Sequence, residues 1–181
     1  MTWTATLKQK PSTTLRMGTL RVQLEQTTLD DVRRAASVGK VAHRGDAGKS
    51  MYWLCYTSSA PDVAQRIWII AHAEMGGSAH YVTEISAEVI SNGHATADCP
   101  ALPKRLSTVS LENHLWLGAS EAEATTHMAA PSYRNGHWRS FDFAGKVAGD
   151  CSGDLDLTAS LLLHFQNGRV NSLRVSQITS C

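Results

Sequence analysis

Apolar and polar positions alternate along this chain in short blocks, and the blocks recur in the same order in its two halves. In the first half Leu20-Arg21-Val22-Gln23-Leu24 has the period of a strand. Thr28 then stands where a helix N-cap belongs, with Asp31 three residues on and Val32, Ala35 and Ala36 forming an apolar stripe that stops at Gly39. Three strand-like runs follow, at 50–57, 66–72 and 81–90. In the second half Leu115-Trp116-Leu117-Gly118 leads to Ser120 as a cap, with Glu123 at the capping-box position and Ala122, Ala124 and Met128 before the helix-stopping Pro131. Strand-like runs follow at 137–143, 155–165 and 170–178. Asn167-Gly168, between the last two, is the strongest hairpin signal in the sequence. The two caps are 92 residues apart, and Val82 and Leu173, which hold equivalent strand positions, are 91 apart.

The order of signals predicts an α+β fold made of two similar halves, each a helix plus a three-stranded antiparallel meander. The halves span 19–90 and 109–181, joined by a linker at 91–108 that contains Asn92-Gly93, Pro100 and Pro103. Residues 1–18, rich in Thr, Lys and Pro, read as a mobile N-terminal arm in which Trp3 alone is expected to dock. One small helix covers one face of a sheet, so the opposite face is the place to look for function.

In the first long strand Met51, Trp53 and Cys55 fall on one face and Tyr52, Leu54 and Tyr56 on the other. If the Met51 face lies under the helix, Tyr52 and Tyr56 stand on the open face with Trp68 as a cross-strand neighbour. Such side chains anchor protein interfaces. The alternative is that these rings fill the contact between the halves. His72 and His164 end apolar strands in equivalent places, as exposed-face groups or simply as solvated strand histidines. Two loops complete the candidate surface, the Gly-rich 74–80 with the flexible Met75 and 131–137 with Tyr133.

Composition narrows the partner. The chain has 181 residues, 17 Lys+Arg against 16 Asp+Glu and a net charge of +1, so it lacks the basic surplus that a nucleic acid would require. An apolar fraction of 43% fits a folded chain, and no run approaches the roughly 18 apolar residues of a membrane span. The four widely spaced cysteines, Cys55, Cys99, Cys151 and Cys181, read as disulfides and so as a periplasmic or secreted protein. One bridge within each half, Cys55–Cys99 and Cys151–Cys181, is favoured. Each would contribute roughly 4 kcal/mol as an upper figure. A Cys55–Cys181 bridge stays open and would require the halves to abut there, and four reduced cysteines in a cytosolic protein is the remaining alternative. The opening Met-Thr-Trp-Thr-Ala-Thr-Leu-Lys has no signal-peptide core, so export implies a native signal absent from the sequence as given.

The Leu-x-Leu-Gly-x-Ser-x-x-x-Ala start (Leu117, Gly118, Ser120, Ala124), the helix ending near Pro131, and the closing Asn167-Gly168 hairpin with Val170 resemble the small outer-membrane assembly lipoproteins. With Thr28, Val32 and Gly39 in equivalent places, the tandem form resembles the β-lactamase-inhibitor protein fold over residues 19–181. The first half departs by lacking the Leu-Gly pair before its helix. No residues match an inhibitor's contact set one by one, so the resemblance implies a protein-binding scaffold and no particular target.

Catalytic patterns are sparse. Gly48-Lys49-Ser50 lacks the earlier glycine of a phosphate loop and precedes an extended run, and Arg44-Gly45-Asp46 reads as a turn. The eight histidines show no zinc-site spacing, no Gly-x-Ser-x-Gly elbow occurs, and Asp150, Asp154 and Asp156 lack calcium-loop spacing. No cofactor, metal or catalytic residue is assigned. The expectation is a non-enzymatic module, of the inhibitor or immunity type, that blocks a partner enzyme or toxin. Its surface would comprise Tyr52, Tyr56, Trp68, His72, Met75 and Tyr133. The alternative role is structural, as an assembly component of the bacterial cell envelope, which would bring a lipid-modified N-terminal cysteine. A small enzyme or carrier using His72, His164 and the acidic loop is the third possibility.

Overall fold

In a computed structural model the chain is described at residues 2–3, 6–59, 63–72, 78–91, 94–128, 130–149 and 153–181. The N-terminal part supplies β1 (Thr2–Trp3), β2 (Thr14–Met17), β3 (Leu20–Gln23) and α1 (Leu29–Ala36), and then β4 (Ala42–Arg44), β5 (Met51–Ser58), β6 (Gln65–His72) and β7 (Glu84–Val89). The C-terminal part supplies β8 (Val109–Leu111), α2 (Glu121–His127), β9 (Tyr133–Asn135), β10 (Trp138–Val147), β11 (Leu155–Gln166) and β12 (Arg169–Ser180).

The architecture corrects the α+β expectation. The protein is mostly β, 48% strand against 12% helix, and its halves are not a helix plus three strands. Nine strands form one sheet in the order β1-β9-β10-β11-β12-β7-β6-β5-β4, and β3-β2-β8 form a second. Two four-stranded meanders, β4 to β7 and β9 to β12, fuse where β7 pairs antiparallel with β12 from Ser172↔Glu88 to Ser176↔Glu84. The additional strands are two to four residues long, too short to show a period, and β1 and β2 find partners in the distant β9 and β8. Residues 14–17, within the segment read as an arm, form β2 at the centre of the small sheet, where Leu15 and Met17 are fully buried.

Local signals formed where they were legible. Thr28 and Ser120 both cap their helices with reciprocal capping boxes: Asp31 N–H donates to Thr28 Oγ1, and Thr28 N–H to Asp31 Oδ2. Asn167 and Gly168 take the left-handed φ values of 52° and 72° that a two-residue hairpin turn requires. The β11–β12 ladder then runs the full length of both strands, except that Asn171 has no partner and forms a bulge. That extra residue lets Val170 and Leu173, three apart, both face inward. Gly18, at φ 56°, lies so close to the Arg105 carbonyl that any Cβ would collide with it.

The core lies between one face of the large sheet and a layer made of α1, α2 and the small sheet. Inward side chains include Leu54, Ile67, Ile69, Ile85, Leu161, Leu163 and Val175. Opposing them are Leu29, Val32 and Ala36 from α1 and Ala124 from α2. Two polar pairs bridge the layers: Trp116 Nε1–H donates to Gln65 Oε1 at 2.6 Å, and Tyr56 O–H to the Val38 carbonyl at 3.1 Å. Glu25, just past β3 at φ 61°, accepts from Thr179 N–H and Oγ1 and from Gln177 Nε2, which ties that layer to the end of β12.

Cys55 and Cys99 are bridged, as expected. The bridge holds the 99–102 segment against the part of β5 that β4 does not reach, where Thr57 donates to the Pro100 carbonyl and accepts from Leu102 N–H. A free strand edge is thereby sealed. Cys181 is disulfide-bonded, and Cys151 lies outside the described residues.

Two stability tests follow from these features. Replacing both Cys55 and Cys99 with serine removes a cross-link across 44 residues and should cost up to about 4 kcal/mol, read from urea unfolding. Hydrogen bonds from Thr28, with a smaller contribution from Arg34, hold the Asp31 carboxyl below its ordinary 3.8. Its contribution to stability is therefore present above that value and disappears as pH falls through the lower folded-state pKa. Thr28→Ala should raise the Asp31 pKa toward 3.8 by NMR titration, and should cost about 1 kcal/mol near neutral pH with the loss shrinking in acid.

Candidate functional site: the open face of the large sheet

Cross-strand partners share a face, so the register maps the uncovered side of the large sheet row by row. One row runs Ile70, Glu84, Ser176, Ser160, Asp142. The next runs Cys55, Trp68, Ser86, Arg174, Leu162, Ser140, Tyr133. A third runs Thr57, Arg66, Glu88, Ser172, His164, Trp138, Asn135. The β7–β12 seam crosses the middle of every row, and each pair there sets one small serine (Ser86, Ser172 or Ser176) against one charged side chain. Larger side chains stand to either side. The result is a trough of about 140 Å³ with Trp68 and Trp138 among its walls, Ser86, Ser172 and Leu162 beneath, and Glu88 and Arg174 at its margin.

The walls are held in place. Arg66 lies over the Trp68 ring, 5.7 Å from its centre, with Glu88 3.7 Å away. Trp138, one of the few large apolar side chains left exposed, packs on His164 at 4.5 Å, and His137 meets that imidazole edge-on at 6.4 Å. Glu84 is mostly shielded and accepts from Arg174 Nε at 3.3 Å, with His72 Nε2 at 3.4 Å. Lys146 closes on Asp156 at 2.7 Å. These opposed charges leave the aromatic walls as the dominant character of the centre.

The structure redistributes the residues expected at the site. Trp68 and His72 lie on the open face, and Tyr133 lies there too, half-buried on the edge side of the Trp68 row. Tyr52 and Tyr56 do not. The face of β5 that carries them lies under α1 and the face that carries Met51 and Trp53 is the open one, the reverse of the expectation. Tyr56 is fully buried, and burial pushes its phenol up to about 12 against a weaker opposing effect of the Arg33 charge. The ring fits there because Gly39, at φ 95°, has no side chain; a Cβ would approach the phenol oxygen to 3.0 Å. Tyr52 is half-buried between His43, at 4.4 Å, and His80, at 3.9 Å. Met75 lies outside the described residues.

Sequence reasoning left Trp138, Arg66, Glu88, Arg174 and Asp142 out of the site. Trp138 was legible as a strand aromatic, but its position across the seam from Trp68 depends on a pairing between β7 and β12 that no local pattern encodes. His72 and His164 share the face but lie in different rows on opposite sides of the seam, so they do not converge. Gly48-Lys49 ends in a single 3-10 turn followed by β5, not the helix of a phosphate loop. Among the described residues no group of three His, Cys, Asp or Glu side chains is placed to hold a metal ion. None of the helices among them is long and apolar enough to cross a membrane.

No family model matches the chain, and neither the curated proteins nor the solved structures contain a significant match.

The Tyr56 environment can be checked directly. Its raised pKa favours the folded state fully below the ordinary value near 10, and that contribution is lost as pH rises toward 12. One of the four tyrosines should resist ionisation until about pH 12 in an absorbance titration. Tyr56→Phe should remove that late step and, by deleting the bond to Val38, cost about 1 kcal/mol.

Proposed function

We propose that this protein is a binding module whose open sheet face receives a protein partner, and that it works as an inhibitor or immunity-type protein that blocks an enzyme or toxin. The observation that carries the reading is the trough between Trp68 and Trp138. Large amphipathic rings on an uncovered sheet, set around a concave floor and rimmed by neutralised charges, have the composition of an interface centre. A rigid sheet also suits occlusion, because it offers a preformed surface and little conformational entropy is lost on docking. A periplasmic or secreted setting belongs to the same reading and draws support from the Cys55–Cys99 bridge.

The test uses the oxidised protein as bait, with wild type compared against Trp68→Ala/Trp138→Ala. Each truncation should cost about 2 kcal/mol, or some thirtyfold in Kd, if the rings are central anchors. A partner that is captured stoichiometrically, loses its own activity when bound and escapes the double variant is the expected result. Tyr52→Ala, which alters the covered face, should bind normally. Capture of cell-envelope components that is indifferent to both tryptophans would replace inhibition with an assembly role, and retention of an enzyme by the double variant would overturn the assignment of the face.

A further inference from the structure

One row on the open face carries two carboxylates that are treated differently. Glu84, on β7, is met by both Arg174 and His72. Asp142, on β10, has no ion pair among the described residues. Its carboxylate instead accepts from Ser140 Oγ, at 2.9 Å to Oδ1 and 2.8 Å to Oδ2, and from Ser160 Oγ at 2.7 Å. These contacts leave an acceptor site on Oδ2 unused, since an ionised carboxylate offers about four, two on each oxygen.

The two cations nearest on its own strand are committed elsewhere. Lys146 shares the strand and face, but it lies four residues on, about 13 Å along the strand, and closes on Asp156. Arg139 is nearer in sequence but points to the opposite face, where it pairs with Glu121 at 2.8 Å. The Asp142 backbone is pinned as well: its N–H donates to Ser132 Oγ, and its carbonyl accepts from Leu7 N–H at 2.8 Å. The carboxylate is thus preorganised and has no ion pair among the described residues.

Asp142 also lines a depression of about 220 Å³, several water molecules in size, whose wall on the open face includes Ala144, Thr158 and Ile178. A pocket with an aliphatic wall and one anionic end matches a side chain with an aliphatic stem and a cationic head. Resting on the reading of this face as a protein-binding surface, we infer that the Asp142 pocket accepts a lysine or arginine side chain from the partner. It would then form the ion pair that no described side chain makes. The Trp68–Trp138 trough would supply affinity, and Asp142 would select partners that present a basic residue at the matching distance.

The probes are N-acetyl-lysine methylamide and its arginine analogue, with N-acetyl-norleucine methylamide as the uncharged control, each titrated into isotopically labelled, oxidised protein and followed by amide NMR. Saturable shifts confined to the amides around 140–144 and 158–160 are expected for the cationic probes, weakening as salt is added, with little change for norleucine. Asp142→Asn keeps the size of the side chain and an acceptor for both serines, and should weaken binding about tenfold or more. Ser160→Ala leaves the charge in place and should weaken it less. Equal binding of norleucine, undiminished binding by Asp142→Asn, or the absence of saturable shifts with either cationic probe would each overturn the inference. The Trp68→Ala/Trp138→Ala protein should titrate like wild type, so a failed pocket and a failed binding face give separate results.

Discussion

The antiparallel pairing of β7 with β12 is the constraint on which the rest of this structure depends. Five residue pairs, Ser172↔Glu88 to Ser176↔Glu84, turn two meanders into one continuous sheet. Without that seam each meander would end in an unpaired edge with its backbone groups open to other chains. With it, Leu173 and Val175 stand beside Ala87 and Ile85 on the covered side, so one hydrophobic layer runs beneath both halves. On the other side the same pairs place Ser86, Ser172 and Ser176 along the midline, and the low floor of the trough is a direct consequence. Ser86 Oγ adds a contact across the seam, to the Leu173 carbonyl at 3.4 Å.

The covering layer is positioned by a few paired polar groups within an otherwise apolar core. Gln65 with Trp116, Tyr56 with Val38, and Glu25 with Thr179 each link the large sheet to the layer beneath it. A buried donor or acceptor left unpaired costs more than the bond itself contributes, so these contacts restrict how the layer can slide or rotate over the sheet. The small sheet joins the β2–β3 hairpin to β8, from the far side of the apparent linker, which explains how residues on either side of that linker come to share one core. The disulfide acts differently, by fixing a segment along the outer edge of β5.

The open face has no covering layer, and its side chains satisfy one another within the plane of the sheet. Arg66 with Glu88, Arg174 and His72 with Glu84, and Trp138 with His164 are neighbours in the rows that the register creates. This internal neutralisation keeps a surface containing several tryptophans compatible with water while leaving its rings available. Asp142 is the exception, hydrogen-bonded by serine hydroxyls and without an ion pair among the described residues.

What the sequence determined by itself is local. The capping boxes at Thr28 and Ser120, the Asn167-Gly168 hairpin and the long strands were legible because each depends on residues within a few positions of one another. The Cys55–Cys99 bridge was legible as a pairing within one half. Tertiary structure alone decided which face of β5 turned inward. Residues 51–56 are apolar or aromatic on both faces, so alternation separates Tyr52, Leu54 and Tyr56 from Met51, Trp53 and Cys55 without ranking them. The choice was made by a gap beside Gly39 and a carbonyl at Val38 that accept the Tyr56 ring and hydroxyl. The short strands and the seam were equally out of reach, because a three-residue strand has no measurable period and the partners in β7 and β12 lie more than 80 residues apart. The trough and the Asp142 pocket exist only where those distant strands meet.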